Sequence, residues 1–143
     1  MSVGKIATRV VATATGSESI LDVARRMAEY KVGCVVVVDG GKEPVGIVTD
    51  RDIVIRVVAK ELDPSETPVS VIMTREVRSV DEATPIEQAL ALMGSAGTRR
   101  LVVTGSELKL VGVVSVDDVI ELLVEEAESL GTLLRKERPS LSG

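Results

Sequence analysis

The sequence predicts an α/β protein made of two β-α-β-β-α repeats packed about a pseudo-twofold axis. Three observations lead there. The stretch Gly46-Ile47-Val48-Thr49-Asp50-Arg51-Asp52 returns 66 residues later as Gly112-Val113-Val114-Ser115-Val116-Asp117-Asp118. The same offset lays residues 5–58 on residues 71–124 without a gap. Ile6, Thr8, Arg9 and Val11 then meet Ile72, Thr74, Arg75 and Val77, and Val45, Asp52 and Val58 meet Val111, Asp118 and Val124. An ungapped internal repeat of this length sets the architecture. Finally, β-branched runs alternate in both halves with apolar residues at helical spacing.

The elements follow in order. A short extended piece opens each repeat, at 10–13 and 77–80. A helix follows, at 18–30 and 85–96. Ile20, Val23, Ala24 and Met27 recur along its apolar face, as do Ile86, Ala89, Leu90 and Met93. Thr84, Pro85 and Glu87 read as N-cap, N1 and N3 of the second copy. The two methionines read as core filler. Strands at 34–38 and 45–48 flank Asp39-Gly40-Gly41-Lys42, and strands at 101–103 and 111–114 flank Gly105-Ser106-Glu107. Glycine-rich connectors between β-branched runs predict hairpins. A last helix closes each repeat, at 51–60 and 117–127. The first repeat spans 5–60 and the second 71–127. Between them, 61–70 carries Pro64 and Pro68 and reads as a linker. Val71-Ile72-Met73 reads as one helical turn. Residues 128–143 form an extension, helical through Leu133-Leu134 and loose over 139–143. Each closing helix has more apolar residues than one core-facing stripe needs, which predicts a homodimer.

Composition limits the function classes. One Tyr and no Phe or Trp leave an aliphatic core. A bound base would lie between aliphatic side chains, so single-strand binding by aromatic stacking is excluded. A net charge of −5 disfavours non-specific nucleic-acid binding. A single Cys allows no internal disulfide, and no metal motif is visible. Cys34 reads as a buried small hydrophobe. The start, Met1-Ser2-Val3-Gly4-Lys5, has no apolar signal region, and Val35–Val38 is too short for a membrane span. A cytoplasmic protein without a membrane partner is expected. With no His and no base beside the Thr, Ser or Asp residues, no enzyme is expected.

The twin motif carries the chemistry. A β-branched run breaking into hydroxyl-x-x-acid predicts a strand that feeds a helix, with the hydroxyl at the N-cap and the acid at N3. One reading is a capping box used twice. The other is a nucleotide site. Helix N-terminal N–H groups suit a phosphate, the Thr49 or Ser115 hydroxyl adds a donor, and Asp52 or Asp118 offers acceptors to a ribose diol.

The chain resembles a CBS-domain pair, or Bateman module, over residues 5–127. The resemblance rests on the twin motifs, the element order and the Ile-x-Thr-Arg-x-Val openings at 6–11 and 72–77. It rests also on Val32-Gly33-Cys34-Val35-Val36-Val37 and Thr98-Arg99-Arg100-Leu101-Val102-Val103. It implies a regulatory module that binds AMP, ADP, ATP, S-adenosylmethionine or NAD between the repeats, with no required cofactor and with Mg²⁺ accompanying a polyphosphate. By position, Asp52 and Asp118 would hold ribose. Thr49, Ser115, Arg99, Arg100, Arg51 and Lys31 would meet phosphate. Thr13, Ala14 and Val35, with Ser79, Val80 and Leu101, would shape the base pockets. Gly33 and Cys34 stand where the second repeat has Arg99 and Arg100, so the two sites should differ in phosphate affinity. Val36 and Val102 occupy a place where many members carry Pro, and the His often found just before it is missing. Without an attached catalytic or transport domain, the regulated molecule would be another protein. The alternative is a constitutive dimeric interaction module in which the acids are only caps.

Overall fold

The computed structural model describes residues 1–9 and 11–138 of the 143-residue chain. The first repeat holds β1 (Thr13–Ala14), α1 (Ile20–Tyr30), β2 (Cys34–Val38), β3 (Pro44–Thr49) and α2 (Asp50–Ile53). α2 runs on as a π-helical turn, Val54–Val58. A short helix, α3 (Val69–Ile72), precedes the second repeat. There β4 (Ser79–Asp81), α4 (Ile86–Ala96), β5 (Arg100–Thr104), β6 (Leu110–Ser115) and α5 (Val116–Glu137) follow. The start of the first extended piece, residue 10, and the tail at 139–143 lie outside the described residues.

Each repeat forms a three-stranded sheet, ordered β1-β2-β3 and β4-β5-β6. The outer strand is parallel to the middle one, and the hairpin is antiparallel. Register repeats with the sequence offset: Cys34 faces Thr49, and Arg100 faces Ser115. Even the irregularity recurs, at Val37/Val38 and at Val103/Thr104.

The apolar alternation sorts the side chains into two cores. Val35, Val37 and Val48 pack with Ile20, Val23 and Met27 in one. Leu101, Val103 and Val114 pack with Ile86, Ala89 and Met93 in the other. Each core also takes residues from the segment that leads into the opposite repeat. Val69, Ile72 and Met73 complete the first, and Val3 completes the second. Thr74 bridges to Ile47 of β3, and Thr8 bridges to Val113 of β6. The repeats are therefore laced together by exchanged segments, a pairing that the linear pattern does not reveal.

This lacing corrects the expected start of α4. Thr84 is not its N-cap. Pro85 caps it in an extended conformation (φ −61°, ψ 144°), without a side-chain cap bond. The cause is the N-terminal segment: Val3 N–H donates to Thr84 O at 2.8 Å, and Ser2 bridges to Pro85. At the matching position of the first repeat, Ser19 caps α1 and accepts from Asp22 N–H at 3.1 Å.

Candidate functional site

Each motif sits where a strand turns into a helix. Thr49 Oγ1 accepts from Asp52 N–H at 3.2 Å, and Asp52 Oδ2 accepts from Thr49 N–H at 2.9 Å. Ser115 and Asp118 repeat this at 3.2 and 2.8 Å. Both capping boxes are complete. Each hydroxyl nevertheless keeps its O–H to donate, and each carboxylate keeps its second oxygen to accept. Asp52 Oδ1 lies 3.7 Å from Arg56, too far for a strong bond. All four side chains are half-buried, at the rim of a cleft.

The hairpin register brings the start of β2 beside the end of β3, and that of β5 beside the end of β6. These four strand ends meet at the pseudo-twofold axis and wall two clefts. One cleft, of about 360 Å³, joins Thr49 and Asp52 to Thr74, Arg78, Thr98, Arg99 and Arg100. The other, of about 200 Å³, joins Ser115 and Asp118 to Thr8, Ala12, Val32, Gly33 and Cys34. Every described residue of the second lining except Arg100 has its counterpart, 66 residues away, in the first. Each cleft thus takes its motif from one repeat and its strand entry from the other. Arg100 lines both.

The clefts differ in charge. The first carries Arg78, Arg99 and Arg100 against Asp52 and Glu76. Its Arg99 has an exposed ion pair with Asp117, 3.3 Å long, which holds it weakly. In the second, Arg100 and Asp118 are the lining residues with formal charge. Burial pushes the Cys34 thiol up, partly opposed by Arg100, so this group stays neutral near pH 7.

The N-terminus of α2 has its leading donors already taken. Asp50 N–H donates to Gly33 O at 3.0 Å, Arg51 N–H to Asp50 Oδ1 at 2.8 Å, and Asp52 N–H to Thr49. In α5, Val116 N–H donates to Arg99 O at 2.9 Å, and Asp118 N–H donates to Ser115. The first motif helix thus spends its leading donors on the chain itself, whereas in α5 no side chain takes the place of Asp50, because Val116 stands there.

Of the residues singled out from the sequence, Thr49, Asp52, Ser115, Asp118, Arg99 and Arg100 line the clefts. The others stand elsewhere. Val35 and Leu101 point into the two cores, and Val80 packs against the second. Ala14 is buried in the first core, and Thr13 and Ala14 border a cavity along α1 with Glu18, Arg26 and Tyr30, which shares Val11, Ala12 and Val32 with the second cleft. Ser79 borders a small hollow beside Leu108. Lys31 ends α1 in a left-handed conformation (φ 56°), and Arg51 is exposed on α2; neither lines a cleft. The residues that line the clefts themselves lie one or two positions before those expected to shape the base. Strand side chains alternate, so a shift of one residue changes the face. Val11 and Ala12 line the second cleft, and Val77 and Arg78 line the first. Thr8 and Thr74 were also missed as wall residues. Their matched Thr-Arg context was a visible signal, but their crossing to the other repeat was not.

Among the described residues no group of acids and Cys is arranged to hold a metal, and no helix is long and apolar enough to cross a membrane.

A family model, the CBS domain, matches residues 3–59 and again 69–125. An uncharacterised protein of Methanopyrus kandleri is 37% identical over 122 residues, covering 85% of this chain. The chain spans 62% of that relative's length. The CBS domain-containing protein YhcV of Bacillus subtilis is 36% identical over 118 residues, covering 82% of each chain. Among solved structures, a CBS domain protein of Pyrobaculum aerophilum complexed with AMP superposes with a TM-score of 0.77. It is 28% identical, with 90% of this chain and 99% of that one covered.

Proposed function

The chain belongs to the CBS-domain family, with two copies of the domain in one fold, and on that footing we propose that it is a regulatory module. It binds adenosine-containing ligands in its two clefts and signals their presence to a partner protein. One observation carries this reading: each cleft sets a half-buried carboxylate with an open oxygen beside a hydroxyl with an open O–H. That pair suits the diol and the adjoining oxygens of a ribose. The AMP complex of the Pyrobaculum protein supports the ligand class. The aliphatic walls, Val77 and Val102 in one cleft and Val11 and Val32 in the other, suit a base held without aromatic stacking.

The module works as a homodimer in this reading. Val54 and Val58 on the first closing helix, and Ile120 and Val124 at the matching places on α5, are about half exposed or more. These faces are the apolar surface that a second copy would cover.

A second reading keeps the fold and drops the ligand. The capping boxes close without any guest, so the acids already have a structural use. Calorimetric titration with AMP, ATP (with and without Mg²⁺), S-adenosylmethionine and NAD separates the two readings. The sensor reading expects micromolar binding of at least one, weakened about 10-fold or more in Asp52→Asn or Asp118→Asn. Loss of stability in those variants, with no binding by the parent protein, would leave only the interaction module.

A further inference from the structure

The clefts occupy matching places in the two repeats, yet they hold unequal shares of positive charge. The Thr49–Asp52 cleft has Arg78, Arg99 and Arg100. At the matching positions, the Ser115–Asp118 cleft has Ala12, Gly33 and Cys34. Among the described residues its one lining cation is Arg100, which reaches it from the first residue of β5, directly opposite Ser115. Among the described residues the Arg100 side chain forms no ion pair. A single uncommitted guanidinium thus stands between two carboxylate-bearing clefts.

Resting on the adenosine reading above, we propose that Arg100 is one phosphate-binding group shared by both clefts. The chain then holds a 5′-phosphorylated adenosine ligand in the Thr49–Asp52 cleft and an uncharged adenosine ligand in the Ser115–Asp118 cleft. A guanidinium binds a phosphate best through two parallel N–H bonds, and one such pairing commits its fork. The first cleft wins it, because Arg78 and Arg99 already favour an anion there. The second is then left with Asp118 and no cation. A phosphate placed there would meet the like charge of Asp118 with no second side-chain cation among the described lining residues to offset it. A neutral nucleoside needs only the diol acceptor, which Asp118 still offers. The two ligands therefore bind together, whereas two phosphorylated ones compete for Arg100.

Calorimetric titration of the intact chain with AMP and with adenosine tests this. AMP should fill one site per chain, with any second site weaker by about 10-fold or more. Asp52→Asn should weaken that event. Adenosine should still bind the AMP-saturated chain, and Asp118→Asn should weaken this second event. In Arg100→Gln, with its unfolding midpoint checked, the ratio of AMP to adenosine affinity should fall about 10-fold. The stoichiometry measurement needs no variant, so it stands even if Arg100→Gln folds poorly. Two AMP sites of equal affinity, or an unchanged ratio in Arg100→Gln, would overturn the shared-arginine proposal and leave the adenosine reading in place. No heat with either ligand would overturn both.

Discussion

Asp52 and Asp118 each combine two roles: one oxygen closes a capping box, and the other faces a cleft. The spacing of hydroxyl and acid made the first role legible in the sequence, because a capping box is a local pattern. The second became legible only through the duplicated motif. Wall residues were harder to read. Val35 and Leu101 sit within the right strands but on their core faces, since the strand's starting phase is set by packing between the repeats. Glu18 gives a test that belongs to a single residue. Its carboxylate accepts from both Nη atoms of Arg26, at 3.1 and 2.6 Å, and from Thr15 N–H at 2.8 Å. The Arg26 bond chiefly holds its pKa below the usual value of 4.5. A carboxyl whose pKa is depressed by folding stabilises the fold above its unfolded value and loses that contribution as pH falls through the folded one. Glu18→Gln should therefore be less stable than the parent at pH 7, with the gap closing below about pH 4.5. Denaturant titrations at both pH values measure the gap, and a constant gap would contradict this account of the pair.

The motif glycines show how an element depends on its neighbour. A Cβ at Gly112 would stand 2.5 Å from the Thr8 carbonyl oxygen, a backbone atom fixed by its bridge to Val113. At Gly46 the obstacle is the side chain of Met73, which can move. Gly112→Ala should cost about 1–3 kcal/mol and Gly46→Ala less, because overpacking is relieved only where a neighbour can yield. Thermal unfolding of the two variants ranks them, and an equal or reversed order would refute the distinction. The sequence showed that both glycines recur, but not why, since their neighbours come from segments that lead into the other repeat. The start of α4 has the same cause. Thr84-Pro85-x-Glu87 reads as a helix start, and pairing with residues 2 and 3 holds it extended instead. Helix α5 was more legible: the extension after residue 127 reads as helical through Leu133-Leu134, and the helix runs to Glu137.

At the scale of the molecule, the duplicated pattern was the most legible feature, since one ungapped offset carries register, irregularities and cleft linings alike. The exchange of the leading segments was hidden, because nothing local distinguishes a segment that packs on its own repeat from one that packs on the other. Dimerisation through the exposed faces of the first closing helix and α5 predicts twice the chain mass in sedimentation at micromolar concentration. Replacing Ile120 and Val124 together with Glu should yield monomer. A parent protein that sediments as a monomer would rule out the dimer. The central claim, that the two clefts are adenosine sites, is tested most directly by a crystal structure of the protein grown with AMP. The account predicts the ribose hydroxyls on Asp52, with the phosphate against Arg99 and Arg100. AMP found instead in the cavity along α1, beside Arg26 and Tyr30, would contradict it.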